Sequence, residues 1–81
     1  MYDKNDFDDE KYYKSYLSAL AYYQESIEVH VEVGRSFYNG YIWGEPNSKY
    51  FWLVDKVIGR TVIYYHELTK PIMEYESRGK E

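Results

Sequence analysis

The sequence predicts a mostly-β fold in which one N-terminal α-helix precedes a small, strongly bent, five-stranded antiparallel barrel that stays open. Apolar residues recur at helical spacing over residues 8–24, whereas residues 27–33 alternate strictly between apolar and polar side chains. Turn residues then separate four further short apolar segments. The 81 residues contain no cysteine and form a single domain, residues 1–81, so this sheet and helix must build the whole core.

The predicted helix covers residues 8–24. Asp8 and Asp9 suit its N-terminus, because their carboxylates accept hydrogen bonds from the unpaired N–H groups there. One face carries an apolar stripe made of Tyr12, Tyr13, Tyr16, Leu17, Leu20 and Tyr23. The opposite face carries Lys11, Lys14, Ser15, Ser18 and Ala21. The stripe is either a docking surface for a partner or the cover of the sheet, and we favour the second interpretation.

The predicted strands occupy residues 27–33, 37–43, 49–55, 60–65 and 69–75. Gly40 inside the second strand predicts a bulge or a sharp bend. The third strand is apolar at nearly every position, which predicts that neither of its faces contacts water. Pro71 cannot donate to a strand ladder, so we expect the last strand at an edge or a bulge. Residues 76–81 form a charged tail that we expect to fray.

Acidic residues are concentrated in the first part of the chain. Residues 1–34 hold eight acids and three lysines, a net charge of −5, whereas residues 35–81 hold six acids and seven basic residues, a net charge of +1. Domains that bind nucleic acid through bulk charge have a pI above about 9, and this chain has a pI of 5.1. Any nucleic-acid binding therefore needs a local site. Twelve tyrosines suit such a site, because tyrosine is stable on half-wet surfaces.

Catalytic and targeting motifs are not found in the sequence. His30 and His66 have no cysteine partner and no metal-binding spacing, and the serines do not form a nucleophile motif. We therefore expect no enzymatic activity, no cofactor and no metal. The acidic N-terminus does not resemble a signal peptide, and no apolar run approaches the roughly 20 residues that span a membrane. We expect a soluble, cytoplasmic protein that does not bind membranes.

Four motifs occur in an order that resembles a known family. Residues 16–20 read Tyr-Leu-Ser-Ala-Leu and precede an alternating strand that ends at Gly34. Gly34 and Gly40 resemble a pair of motif glycines, which residues 53–55, Leu-Val-Asp, follow at a fitting distance. Residues 64–69, Tyr-Tyr-His-Glu-Leu-Thr, resemble a second motif. Over residues 12–75 the chain is therefore similar to the Sm (LSm) family and, within it, to the bacterial Hfq branch.

The Hfq-like resemblance implies a homo-oligomeric ring of about five to seven copies, in which the fourth strand of one copy pairs with the fifth strand of the next. It also implies that RNA bases stack on Tyr50 and contact Tyr65 and His66. Tyr50 is equally well explained as a core or interface aromatic residue, and His66 as a histidine that hydrogen-bonds the turn.

Further site residues flank these positions. Lys49 and Arg60 lie close by in sequence and are candidates to contact phosphates. On the opposite face, His30 matches a stacking aromatic residue of the Hfq adenine site, and Arg35 follows the glycine there.

The chain also departs from the Hfq pattern. Tyr65 stands where the second motif carries a lysine, and Ala21 and Tyr22 stand where Hfq carries arginines on its rim. Such differences fit a divergent member, for example a viral or phage-derived one.

Two functions follow as hypotheses. The first is a ring that binds short, single-stranded, U- or A-rich RNA by base stacking, which the Tyr65–His66 pair favours. The second is a small acidic protein-interaction module, such as a viral inhibitor or adaptor, on the same fold. The net charge of −5 over residues 1–34 favours this second hypothesis.

Overall fold

One helix precedes five antiparallel strands in a computed structural model that describes residues 2–75. The elements are α1 (Glu10–Glu25), β1 (Val29–Val33), β2 (Ser36–Trp43), β3 (Tyr50–Asp55), β4 (Gly59–Tyr64) and β5 (Met73–Glu74). Short 3-10 turns occupy Lys4–Asp6 and Tyr65–Glu67. The strand order is β4-β3-β2-β1-β5, and β4 and β5 are the two edges of a sheet that does not close. The predicted helix and open five-stranded antiparallel sheet are confirmed, and the predicted tail lies outside the described residues.

Helix α1 begins two residues later than predicted, because Asp9 is its N-cap. The Asp9 carboxylate accepts a hydrogen bond from the Lys11 N–H at 3.0 Å. The helix ends at Ser26, which adopts a left-handed conformation with φ of 56°. Tyr16 and Leu20 of the apolar stripe are buried against the sheet, so the stripe covers the core as we favoured. No helix in residues 2–75 is long and apolar enough to cross a membrane.

The core lies between α1 and the inner face of the sheet. Side chains alternate along the strands, and β1 and β3 contribute two buried side chains each to this core, whereas β2 and β4 contribute one each. Its buried members are Tyr16, Ala19, Leu20, Val29, Val31, Ile42, Phe51, Leu53, Ile63, Tyr65 and Ile72.

Gly40 marks the closest approach of two strands. It pairs with Asp55, and a Cβ atom at this position would lie 1.8 Å from the Val54 carbonyl oxygen. The Asp55 carboxylate accepts hydrogen bonds from the backbone N–H groups of Val57, Ile58 and Asn39. These bonds stabilise the anion and hold the pKa of Asp55 below its usual value. Glycine at position 40 avoids a clash between a side chain and the backbone of β3.

The last strand is much shorter than predicted. Only Val29–Glu74 and His30–Met73 pair between β1 and β5, instead of a strand over residues 69–75. Pro71 has no N–H group to donate, and Ile72 turns into the core. The first strand is also shorter, beginning at residue 29 rather than 27.

The prediction that both faces of the third strand are buried is wrong. Phe51 and Leu53 are buried, whereas Trp52 and Val54 remain 39% and 38% exposed. The physical reason is that α1 covers only the inner face, and no second layer covers the outer face within residues 2–75. The apolar composition of this strand was therefore misleading, because two of its apolar side chains lie on the surface of the protein.

Candidate functional site

Aromatic side chains form a continuous row on the outer face of β2, β3 and β4. Four contacts link the rings, with centroid separations of 6.4 Å, 6.5 Å, 5.4 Å and 5.6 Å. We call this surface the aromatic row, and its members in order are Trp43, Trp52, Tyr50, Tyr64 and His66.

Strand register builds the row. Trp43 of β2 pairs with Trp52 of β3, and Tyr50 of β3 pairs with Tyr64 of β4. Tyr50 and Trp52 are two residues apart and so share a face. Aromatic side chains in cross-strand pairs stabilise a sheet, yet Trp43 is still 51% exposed and Trp52 is 39% exposed. Adjacent large apolar side chains left in water are typical of a binding surface.

Two cationic side chains lie beside the aromatic row. The Arg60 guanidinium carbon lies 4.9 Å from the centre of the Trp43 ring, which is a cation–π distance. Lys49 directly precedes Tyr50, and its carbonyl oxygen accepts a hydrogen bond from the Tyr65 N–H at 3.1 Å. This bond ties the loop before β3 to the turn after β4. The structure thus brings Tyr50, His66, Lys49 and Arg60, four of the predicted site residues, to one surface.

A cleft of about 380 Å³ opens at the His66 end of the aromatic row, and we call it the end cleft. Lys49 and His66 are cationic or ionisable residues of its lining. Asp6 and Asp8 are acidic lining residues, and Tyr12 of α1 also contributes. Carboxylates repel phosphate groups but accept hydrogen bonds from amino groups. The end cleft is therefore better suited to a base than to the phosphate of a nucleotide.

The loop before Tyr50 is ordered by Asn47. The Asn47 side-chain oxygen accepts hydrogen bonds from the backbone N–H groups of Lys49 and Tyr50, at 2.9 Å and 3.0 Å. Its backbone carbonyl oxygen accepts a third bond, from the Tyr65 hydroxyl at 2.7 Å. Asn47 thereby sets the position of Tyr50 relative to the turn that carries His66. A preordered loop loses less conformational entropy when a ligand binds.

The position of Tyr65 corrects the expectation that this residue contacts RNA. Its side chain is only 3% exposed and packs in the core against Phe51 and Tyr16. Burial, assisted by the nearby Tyr16 and Tyr2, raises the pKa of its hydroxyl above the usual value. Tyr65 lies two residues after the buried Ile63, so it faces the same inner side of the sheet. A base has no access to its ring in this structure.

His30 and Arg35 are not joined by a direct contact in the described part of the chain. His30 Nδ1 lies 2.6 Å from Asn39 Oδ1, and its Nε2 lies 2.9 Å from Glu32 Oε2. The hydrogen bonds to Asn39 and then Glu32 raise the pKa of His30. Arg35 lies in the turn between β1 and β2, and within residues 2–75 no hydrogen bond or ion pair joins it to His30. His30 is thus anchored in the sheet.

Sequence reasoning missed three members of the aromatic row, namely Trp43, Trp52 and Tyr64. A signal was present, because residues 44–48 are turn residues between two aromatic strands. A hairpin around that turn places Trp43 opposite Trp52 and both on the face of Tyr50. Reading the two strands as a pair would have identified the surface.

Comparisons with known proteins found nothing similar to this chain. No protein-family model matches it. Searches of curated proteins and of solved structures also found no match. Among residues 2–75, no group of three or more histidine, aspartate and glutamate side chains is placed to hold a metal ion. The aromatic row and the end cleft are therefore the surfaces from which a function is argued.

Proposed function

We propose that this protein binds single-stranded RNA by stacking unpaired bases on the aromatic row. The observation that carries this proposal is the row itself, in which Trp43 and Trp52 remain half exposed beside Arg60. Stacking of a base on an aromatic side chain contributes about 1–3 kcal/mol and does not require a basic surface. Such binding is compatible with a pI of 5.1.

Single strands are favoured over duplexes for a geometric reason. The bases of a duplex are already paired and stacked, so only unpaired bases can move onto protein rings. Lys49 and Arg60 lie at different places along the row and could contact phosphates between stacked bases. Binding rather than catalysis is proposed, because the row contains no nucleophile paired with a base.

An Sm-like ring is the assembly that we propose for the active form. β4 and β5 are the edges of the sheet, and exposed edges favour pairing with another strand. In the proposed ring, β4 of one copy pairs with β5 of the next in about five to seven copies, which repeats the aromatic row around an axis. Several weak sites on one ring bind one strand more tightly than a single site does. Because β5 has only two residues, side-chain contacts must add to this pairing.

A protein-interaction module on the same fold is the second candidate function. The turn between β3 and β4 exposes Val57 and Ile58 by 89% and 59%. An exposed aliphatic turn offers no ring for base stacking but can enter an apolar pocket on a partner protein. The net charge of −4 is also more compatible with a protein partner than with a polyanion.

Tryptophan fluorescence tests the RNA proposal directly, because the two tryptophans of the chain are both members of the aromatic row. Titration with oligo-A and oligo-U at low salt should quench this fluorescence with micromolar or stronger affinity. Tyr50→Ala should weaken binding by about 1–3 kcal/mol. Val54→Ala, on the same face of β3 but outside the row, is the matched control and should bind normally. Unchanged fluorescence with both oligonucleotides would remove the proposal and leave the protein-interaction module.

Native mass spectrometry tests the ring separately. One species of about five to seven copies is expected. A monomer at concentrations where RNA binds would disprove the ring, while stacking on a single copy would remain supported by the fluorescence result. Met73 pairs with His30 of the same copy, so Met73→Pro, which removes the Met73 N–H, should displace β5 and thereby dissociate the ring.

A further inference from the structure

A second cavity, of about 370 Å³, lies between α1 and the segment that connects β4 to β5. We call it the lysine groove, because Lys11, Lys14 and Lys70 contribute to its lining. Hydroxyl groups of Ser15, Ser18 and Thr69 line it as well. Its apolar lining includes Tyr12, Leu68 and Ile72. None of the groove-lining residues in the described part of the chain is acidic.

The composition of the groove follows from helix periodicity and from one anchored segment. Lys11, Lys14 and Ser18 recur at i, i+3 and i+7, so they share the helix face opposite the core. Across the groove, the backbone N–H and the hydroxyl of Thr69 both donate to the Glu32 carbonyl oxygen, at 3.0 Å and 3.1 Å. These two bonds hold the connecting segment against β1 and keep Lys70 at the groove.

Two of the groove lysines, Lys70 and Lys11, make only weak contacts within the protein, so their charges can still attract an anion. Lys70 Nζ lies 3.9 Å from the nearest Glu32 carboxylate oxygen, and its side chain is 61% exposed. Such long, exposed contacts contribute little to stability. The Lys11 ammonium lies 5.5 Å from the centre of the Tyr12 ring, a cation–π contact that leaves its charge able to attract an anion. A locally positive surface is notable where residues 1–34 carry a net charge of −5.

The lysine groove continues the path of the aromatic row. Tyr12 and Tyr65 line both the end cleft and the lysine groove, so the two cavities are neighbours. His66 belongs to both the row and the end cleft. A strand that extends from the row through the end cleft and past Tyr12 would next meet the lysine groove.

We infer that the lysine groove binds the phosphodiester backbone of the same RNA strand whose bases stack on the aromatic row. This inference rests on the function proposed above and adds a second contact region to it. Lysine ammonium groups and serine or threonine hydroxyls are the donors that proteins use to bind phosphate oxygens. The apolar wall gives a ribose a surface to pack against. Asp6 and Asp8 disfavour phosphates in the end cleft, so the charge of the backbone is neutralised beyond it.

Oligonucleotides of two lengths distinguish binding at the lysine groove from binding at the aromatic row. An oligo-A of about four nucleotides is long enough for the row alone, whereas one of about 20 nucleotides can also reach the groove. The test variant replaces Lys11, Lys14 and Lys70 together by glutamine. The control variant Lys4→Gln removes a positive charge that lines neither cavity. Affinities for both oligonucleotides are measured by fluorescence anisotropy as a function of salt concentration.

Loss of three phosphate contacts has a defined signature. For single-stranded nucleic acid each contact contributes about 0.7 to the slope of log affinity against log salt, so the triple variant should lose about 2 from the slope. Its affinity for the long oligonucleotide should fall about 10–100-fold near 0.1 M salt. Its affinity for the short oligonucleotide and the behaviour of Lys4→Gln should stay within about twofold of the parent, because neither involves a groove contact.

Two outcomes would overturn the inference, and they are distinguishable. If the parent binds the long oligonucleotide and the triple variant shows the same salt slope, the row binds RNA and the groove does not. If the parent binds neither oligonucleotide, the proposed function fails and the inference fails with it. Circular dichroism checks the fold of the triple variant. The single variant Lys70→Gln changes no residue of α1. It should lower the slope of log affinity against log salt by about 0.7 even if the triple variant disturbs the helix.

Discussion

The two faces of the sheet use the same residue types in opposite ways, and Tyr64 and Tyr65 show this at neighbouring positions. Tyr65 faces inward, is 3% exposed, and donates its hydroxyl hydrogen bond to Asn47. Tyr64 faces outward, where its ring contacts Tyr50 and His66. Inner aromatic residues give a small domain the buried apolar surface that it needs. Outer ones stay partly or half exposed, which the proposed stacking of bases requires.

The largest expected effect distinguishes these two tyrosines. Tyr65→Ala should lower the free energy of unfolding by about 3–5 kcal/mol, because it removes a large buried side chain. Tyr64→Ala should lower it by less, about 1–2 kcal/mol, since its ring is only partly buried on the outer face. Urea unfolding followed by circular dichroism measures both. If Tyr65→Ala does not fold, Tyr65→Phe should still fold and lose about 1 kcal/mol with its hydrogen bond. Equal losses for the two alanine variants would contradict the distinction between the faces.

Gly40→Ala tests whether the stability of the whole sheet depends on the close contact between β2 and β3. The added Cβ atom would lie 1.8 Å from the Val54 carbonyl oxygen, which is backbone and cannot rotate away. We expect a loss of about 3 kcal/mol in the free energy of unfolding, at the upper end of overpacking effects. Thermal unfolding would measure it. A loss below about 1 kcal/mol would show that β2 and β3 can separate locally without disturbing the rest.

Trp52→Ala tests whether a residue of the outer face contributes to RNA binding and little to stability. Its loss should weaken binding of oligo-A by about 1–3 kcal/mol, because one stacking ring is removed. The free energy of unfolding should change by about 1 kcal/mol or less, since the side chain is 39% exposed. Anisotropy of a labelled oligonucleotide and urea unfolding measure the two quantities, with Val54→Ala as the control. A large stability loss with unchanged binding would assign Trp52 to the fold instead.

The smallest expected effect concerns pH. Hydrogen bonds to Asn39 and Glu32 raise the pKa of His30 above 6.5, while burial and Lys70 oppose the rise. Protonated His30 therefore stabilises the folded state fully below about pH 6.5, and this stabilisation is lost as the pH rises through the folded-state pKa. The pKa of Glu32 is lowered by His30, so its contribution is lost in the opposite direction, as the pH falls below 4.5.

Melting temperatures of the parent and of His30→Gln measure this effect. The parent should lose stability as the pH rises above about 6.5, and His30→Gln should lose less over the same rise. Parallel profiles for the two proteins would show that His30 titrates in the folded state as it does in the unfolded chain.

Much of the candidate site could be predicted because it depends on local sequence. Tyr50, Lys49 and His66 lie next to turns, and turn chemistry is encoded within a few residues. Trp43 and Trp52 were missed because their proximity depends on strand register, which no single segment contains. Tyr65 was assigned to the RNA site by motif resemblance, whereas the alternation of Ile63, Tyr64 and Tyr65 places it on the inner face with Ile63.

The sequence by itself determined the helix, the number of strands and the alternating sides of the first strand. These features depend on periodicity and on backbone conformations available within a short segment. Only the tertiary structure decided that the outer face stays uncovered, that Trp43 and Trp52 adjoin Tyr50, and that three separate lysines line one groove. Those outcomes depend on which elements pack together, and packing is a property of the whole chain.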